Sequence, residues 1–171
     1  MHVLRALSFV VLAGLIAIAV AVAARAQSGV VASANGSAHW TIPLPNPFGV
    51  EVQNRTLSFN ARKRADGSVD GRFEYHQVVE GQAFRFNVDV TCLQVYDGNR
   101  AKLGGIIVVS NDPTLPPGRF AWFQVFDNGE GANDPEDQST GFLNGPGNTC
   151  PTIPLAPSPI ESGNITNHDG I

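Results

Sequence analysis

Apolar and polar residues alternate along three successive stretches of this chain, and this period of two constrains the fold more than any other feature. In the first stretch Leu57, Phe59 and Ala61 alternate with polar residues, and stretches 69–76 and 84–92 repeat the pattern. Because successive side chains of a β-strand point to opposite faces of the sheet, the alternation predicts three half-buried strands. We found no convincing helical period after the N-terminal apolar block. The sequence therefore predicts an all-β domain.

Short turns join these predicted strands into a meander. Asp66-Gly67 lies between the first two strands and predicts a type I′ hairpin, in which both central residues take positive φ. Glu80-Gly81 and Asp97-Gly98 provide two further turns. At Cys92 the apolar phase slips by one residue, which predicts a β-bulge that bends the strand. We therefore expect an antiparallel meander closed as a barrel, with a β-sandwich as the alternative.

The C-terminal half contributes further strand candidates and a tail. Residues 102–110 include an apolar run at 106–109 that suits a strand covered on both faces, and 119–126 is rich in aromatic residues. A shorter candidate is 139–143. Proline recurs through 145–159, and proline cannot donate a hydrogen bond to a ladder interior. We expect an extended surface tail from residue 145 to the end of the sequence.

The N-terminal block has the pattern of a secretory signal peptide. Residues 6–24 are almost entirely apolar, Arg5 precedes them, and Ala24-Arg25-Ala26 provides small residues at a cleavage site. The alternative is an uncleaved membrane anchor. We predict cleavage after Ala26, which leaves no membrane segment and gives a secreted or periplasmic protein. The predicted organisation is a signal peptide at 1–26, a flexible leader at 27–36, a β-barrel domain at 37–144 and the tail at 145–171.

Charge and cysteine content restrict the partners and the compartment. The 171 residues carry a formal net charge of −4, so no basic field is available for a nucleic-acid backbone. Cys92 and Cys150 both lie in the exported part, and an even count in an oxidising compartment predicts one disulfide. The alternative is two free thiols. A metal site at these cysteines is disfavoured because neither belongs to a CxxC pair or lies near a histidine.

Several local strings resemble those of a known group of proteins. They are Leu57-Ser-Phe-Asn-Ala-Arg-Lys, Asp89-Val-Thr-Cys-Leu, Ser110-Asn-Asp-Pro and the acidic string Asp127-Asn-Gly-Glu-Gly-Ala-Asn-Asp-Pro-Glu-Asp-Gln. Together they resemble a group of uncharacterised secreted bacterial β-domains, over residues 36–165. The resemblance implies a bacterial, exported single domain. It implies no catalytic residue.

The acidic string is the strongest local candidate for a metal site. Carboxylates are concentrated between residues 127 and 137 without an intervening basic residue. Hard cations such as Ca²⁺ take oxygen ligands, so the predicted metal ligands are Asp127, Glu130, Asp134 and Asp137. The spacing does not match an EF-hand loop. The alternative is a polar surface loop whose Asp and Asn side chains cap neighbouring amides.

Catalytic motifs are weakly supported in the sequence. We found no GxSxG elbow, HExxH, Walker loop or CxxC, and we assign no catalytic residue and no cofactor other than possible Ca²⁺. A carboxylate-dependent hydrolase remains the alternative because two carboxylates need only meet in space. Such a site would bring Glu130, Asp134 or Asp137 together with Glu51 or His39 in one cleft.

Aromatic residues offer a further hypothesis, since some of them could line an open barrel and bind a ligand. Core packing is the competing interpretation. The set comprises Trp40, Phe59, Phe73, Tyr75, Phe84, Phe86, Phe120, Trp122 and Phe123. We predict an exported, non-catalytic β-domain for binding or scaffolding, whose partner is a small molecule, a glycan or a protein. The alternatives are the hydrolase and a calcium-stabilised surface or adhesion module.

Overall fold

A computed structural model describes residues 29–46, 49–131, 133–145, 147, 149–153 and 155–170, apart from the side chains of 44–51. The predicted signal peptide lies outside these residues. Within them, the chain forms strands, turns and loops, and no α-helix occurs. No helix of the described part is long and apolar enough to cross a membrane. The all-β prediction is confirmed.

The described residues form ten strands. Their bounds are β1 Val30–Asn46, β2 Gly49–Arg64, β3 Val69–Val79, β4 Gln82–Tyr96, β5 Arg100–Ser110, β6 Phe120–Phe126, β7 Gln138–Ser139, β8 Leu143–Gly145, β9 Ser158–Pro159 and β10 Ser162–Asp169.

The strands form one antiparallel sheet in the order β10-β1-β2-β3-β4-β5-β6-β7-β9, and β8 pairs with β6 off this path. From β1 to β7 the spatial order follows the chain, as predicted for a meander. The two ends of the path are β9 and β10, yet only Ile160 and Glu161 separate these strands in the sequence. The sheet is therefore curled into a half-barrel around its core.

The structure differs from the sequence prediction at both ends of the domain. Strand β1 begins at Val30, inside the segment predicted as a flexible leader, and β10 lies inside the segment predicted as a tail. Residues 162–169 contain no proline, so each can donate to a ladder. They pair with β1 from Ala32↔Asp169 to His39↔Ser162. Strands β1 and β10 therefore hydrogen-bond to each other, and this pairing places parts of the predicted leader and of the predicted tail in the sheet.

The turn at Asp66-Gly67 is not the predicted type I′ turn. Gly67 has φ of 85°, but Asp66 is not among the described residues with positive φ. Its carboxylate instead accepts the Ser68 backbone N–H at 2.8 Å, so a side chain stabilises this turn. Both central residues have positive φ in the other two turns: 50° and 77° at Glu80-Gly81, and 55° and 76° at Asp97-Gly98.

The predicted bulge is confirmed, because the register between β4 and β5 shifts between Val90 and Cys92. Gly105 lies opposite Val90, and a Cβ there would lie 2.0 Å from the Asp89 carbonyl oxygen. This close approach of the two backbones requires glycine. The expectation that β5 is covered on both faces is wrong at its end, since Val108 and Val109 are 40% and 52% exposed.

Interior side chains form cross-strand rows that pack against each other through aromatic rings. Phe59 and Phe73 are opposite each other on β2 and β3. Both pack edge-on against Phe123 of β6, with ring centroids 5.4 and 4.9 Å apart. Such edge-to-face pairs add to the stabilisation from buried area. These three rings of the predicted aromatic set are therefore core residues rather than the lining of an open cavity.

Candidate functional site

Two aspartates of the acidic string contact β10 through its backbone. The Asp137 carboxylate, 8% exposed, accepts the N–H groups of Asn128 and Ile165, each at 2.8 Å. The Asp127 carboxylate accepts the Asn167 N–H at 2.8 Å and the Gly129 N–H at 3.2 Å. We call Asp127 and Asp137 the seam carboxylates, because they join the segment after β6 to the strand at the far end of the sheet path.

The seam carboxylates take the place of a neighbouring strand for β10. Amides of an antiparallel strand alternate between its two sides, and Ile165 and Asn167 share one side. Each would otherwise present an unpaired edge N–H. A backbone hydrogen bond from the Ile160 N–H to the Asp137 carbonyl, at 2.9 Å, lies at the same junction. The interpretation of this string as an amide-capping loop therefore describes Asp127 and Asp137 well.

The other acids of the string face solvent beside a cleft. Asp134 accepts the Gly131 N–H at 2.7 Å, and Glu130 is exposed. The cleft has a volume of about 310 Å³ and lies between this loop and the first residues of β10. Among the described residues, no three His, Cys, Asp or Glu side chains are placed to hold a metal ion. Calcium binding by Asp127, Glu130, Asp134 and Asp137 stays a prediction.

The described side-chain contacts of His39 are with Thr56 and Glu161. Its Nδ1 is 3.2 Å from the Thr56 hydroxyl, and its Nε2 is 4.0 Å from a Glu161 carboxylate oxygen. The described hydrogen bonds and ion pairs do not join it to an acid of residues 127–137. The side chain of Glu51, the other predicted partner, lies outside the described residues. The convergence predicted for a hydrolase is thus not observed for His39.

Glu161 gives the fold an expected acid sensitivity. Hydrogen bonds from the Thr41 hydroxyl and the Thr41 backbone N–H, together with the nearby His39, lower the pKa of Glu161 below its ordinary value of 4.5. A carboxyl group whose pKa is lowered by folding stabilises the native state above its unfolded pKa. That contribution is lost as pH falls through the folded pKa. We expect urea unfolding to show a steeper loss of stability below about pH 4.5 in the wild type than in Glu161→Gln.

Urea unfolding of the wild type and of Glu161→Gln is compared at neutral pH and in acid. At neutral pH Glu161→Gln should be slightly less stable than the wild type, and the two curves should converge in acid as the wild-type carboxyl becomes protonated. Parallel pH profiles would show that Glu161 makes no such contribution.

A second cluster lies inside one end of the curled sheet. Trp40, Arg55, Gln77 and Phe84 are cross-strand neighbours on β1 to β4, through the pairs Trp40↔Arg55, Arg55↔Gln77 and Gln77↔Phe84. Arg55 lies two residues before Leu57, so it shares the interior face of β2 with that buried residue. We call this row, with Gln53 and the Tyr75 hydroxyl, the polar layer.

Hydrogen bonds connect the members of the polar layer. The Oε1 atom of Gln53, a residue only 7% exposed, accepts from Arg55 Nη2 at 2.9 Å and from Gln77 Nε2 at 3.3 Å. The Tyr75 hydroxyl donates to Gln77 Oε1 at 3.5 Å. Burial raises the pKa of Tyr75 to about 12, an effect that the Arg55 charge opposes. Tyr75 therefore remains a neutral donor near neutral pH.

Two donors of the polar layer lack an acceptor. The Nε1 atom of Trp40, a residue 1% exposed, and the Nε atom of Arg55 are buried and have no hydrogen-bond partner in the structure. No ion pair of the described side chains includes Arg55. Buried donors are almost always satisfied in proteins, and an unsatisfied one costs about 1–3 kcal/mol. Such a pair of donors indicates a place where an acceptor is expected.

The surface arginines of β2, β3 and β4 have carboxylate partners. Cross-strand carboxylates lie near them: Arg62 and Arg64 pair with Asp70, Arg72 with Asp89, and Arg85 with Glu74. These exposed pairs are worth little individually. Arg55 differs from them because it lies on the interior face of β2 and because no ion pair among the described side chains includes it.

A short loop segment covers the polar layer. Phe142 packs edge-on against Tyr75 and Phe86, with ring centroids 4.7 Å away in each case. A Cβ at Gly141 would lie 2.8 Å from Arg55 Nη1, so the backbone passes directly beside the guanidinium. An aromatic ring and one loop segment thus lie over the half-buried Arg55 side chain.

The sequence prediction included Trp40, Tyr75, Phe84 and Phe86 in its aromatic set, but it missed the polar members of the layer. A signal for them existed. Gln53 and Arg55 continue the phase of Leu57, and Gln77 continues the phase of Tyr75. Polar residues in the apolar phase of a strand predict polar groups inside the sheet.

No family model matches this chain, and no curated protein or solved structure matches it either. The resemblance to secreted bacterial β-domains accordingly stays an expectation.

Proposed function

We propose that this protein is an exported, non-catalytic β-domain that binds a ligand in the polar layer. The observation that carries the proposal is the pair of buried donors without acceptors, Trp40 Nε1 and Arg55 Nε. Ligand sites combine a mostly apolar lining with a few polar groups that fix orientation. The polar layer has this composition, since the rings of Tyr75, Phe86 and Phe142 adjoin it.

The chemistry of the polar layer favours binding over catalysis. The layer offers a guanidinium, two carboxamides and an indole, which act as hydrogen-bonding groups rather than as general acids or bases, and the Tyr75 pKa of about 12 keeps its hydroxyl protonated. General acid–base catalysis works best with groups that titrate near the operating pH. The secreted hydrolase remains the second hypothesis, without a described contact that favours it.

Export and enclosure support a small molecule as the partner. The predicted signal peptide at 1–26 and the Cys92–Cys150 disulfide both suit a secreted or periplasmic protein. We further propose that the seam carboxylates close the curled sheet into a barrel, which would enclose the polar layer on all sides. An enclosed site suits a small molecule better than a glycan chain or a protein surface. No nucleic acid is expected, given the net charge of −4.

A thermal-shift screen of the exported protein tests this function. A ligand present at one hundred times its Kd should stabilise the fold by about 2.7 kcal/mol. In a domain of this size that raises the melting temperature by several degrees. The shift should disappear in Arg55→Gln, because the substitution removes the charge and the Nε–H donor.

Arg119→Gln is the matched control, since Arg119 is exposed and its described side-chain hydrogen bond, from Nη2 to Asn144 Oδ1 at 3.4 Å, does not involve the polar layer. It should retain the full shift. Hits that stabilise the wild type and Arg55→Gln equally would place binding elsewhere and refute the proposal.

A further inference from the structure

We infer that the ligand of the polar layer is a small carboxylate with an apolar body, its carboxylate bound by Arg55. This inference rests on the proposed function and names the class of molecule that the site would take. Three features of the structure support it: an excess of donors, an interior positive charge and a wall of aromatic rings.

Donors outnumber acceptors in the polar layer. Gln53 Oε1 already accepts from both Arg55 and Gln77, and Gln77 Oε1 accepts from Tyr75. The indole N–H of Trp40 and the Nε–H of Arg55 remain without acceptors. Both side chains belong to one directly opposed cross-strand pair, so their Cβ atoms are neighbours. A ligand that complements this layer must therefore be rich in acceptor oxygens.

The charge of the layer selects an anion. A guanidinium stays protonated in proteins and presents two parallel donors that match a carboxylate. Its Nη2 contacts Gln53, and its Nε is free, so one N–H edge is partly available. Arg55 is half-buried, and no ion pair among the described side chains includes it, so an anion would supply a counter-charge. A neutral ligand could satisfy the donors but would leave the charge uncompensated.

The surroundings of Arg55 select the rest of the ligand. Trp40 and Tyr75 lie with ring centroids 6.3 Å apart, and Tyr75 stacks on Phe86 at 5.3 Å. Phe142 is half-buried against this aromatic wall. The apolar body of the ligand would pack against the rings of Tyr75 and Phe86, where it would displace the Phe142 side chain. A strongly hydrated anion such as phosphate would find few partners there.

Calorimetric titration of the full exported chain with benzoate and hexanoate tests the inference, with benzamide and hexanamide as neutral isosteres. We expect saturable binding of at least one carboxylate and at least about tenfold weaker binding of its amide, because hydrogen bonds to charged groups are the stronger ones. Arg55→Gln should weaken carboxylate binding by at least about tenfold, whereas Arg119→Gln should leave it unchanged.

The outcomes separate the inference from the proposed function. Equal affinity for the amide and the carboxylate would overturn the carboxylate inference while leaving an Arg55-dependent binding site. Absence of saturable binding of either carboxylate would also overturn it. Carboxylate binding that survives Arg55→Gln unchanged would overturn both the inference and the assignment of the site.

Discussion

Asp137→Ala is expected to lower the free energy of unfolding by about 3 to 5 kcal/mol, as measured by urea denaturation. The substitution removes a carboxylate that is 8% exposed and that accepts the N–H groups of Asn128 and Ile165. Each backbone amide then loses a charged acceptor and stays near the interior. The loss should be large because hydrogen bonds to charged groups exceed neutral ones, and unsatisfied donors add their own cost.

The same loop provides the control for this prediction. Asp134→Ala removes an exposed carboxylate that accepts only the Gly131 N–H among the described groups, so it should cost less than about 1 kcal/mol. Asp137→Asn should fall between the two, since its side chain keeps one acceptor oxygen. Similar losses for Asp134→Ala and Asp137→Ala would contradict the structural role of the seam carboxylate.

Loss of the disulfide is expected to have an effect of similar size. The structure pairs Cys92 of β4 with Cys150, as the sequence predicted, with Cα atoms 5.4 Å apart and a sequence separation of 58. In the chain-entropy description, a closed loop of this length stabilises the fold by about 4 kcal/mol. We expect the double variant Cys92→Ser, Cys150→Ser to lose about that amount in thermal or urea unfolding.

Reduction of the wild type gives an independent control. It should reproduce the stability of the double serine variant, because both remove the same cross-link. Lys102 Nζ still donates to the Pro151 carbonyl at 3.1 Å, so the tail keeps a non-covalent contact with β5. Two alkylatable thiols in unreduced, denatured protein would show that the disulfide is absent.

The alternation of apolar residues was sufficient to predict the central meander. The interior faces of β2, β3 and β4 follow from the positions of their apolar residues, and the phase slip at Cys92 located the bulge. The pairing of β1 with β10 was not predicted. These strands come from the two ends of the domain and contain many small or polar residues, so their local pattern is weak. Only long-range pairing makes them strands.

In the candidate sites, too, the local features were predicted from the sequence and the long-range contacts were not. The acidic string was recognisable in the sequence, but the role of Asp127 depends on Asn167, which lies 40 residues further along the chain. Whether a carboxylate meets a cation or an edge amide is decided by that distant strand. Arg55 was missed although local information was sufficient to place it. It continues the alternation of Leu57, Phe59 and Ala61 toward the N-terminus, so its interior position could be predicted, but it precedes the apolar residues that mark the strand.

The most direct test of the binding account is a ¹H–¹⁵N spectrum of the two tryptophan indole groups during titration with the compound that gives the largest thermal shift. Trp40 belongs to the polar layer, whereas Trp122 alternates with the core residues Ala121 and Phe123 and lies on the other face of β6. If the ligand binds in the polar layer, the Trp40 Nε1–H signal shifts until binding saturates while the Trp122 signal stays in place. The spectrum of Trp122→Phe assigns the two indole signals. A stationary Trp40 signal at saturating ligand would contradict binding in the polar layer.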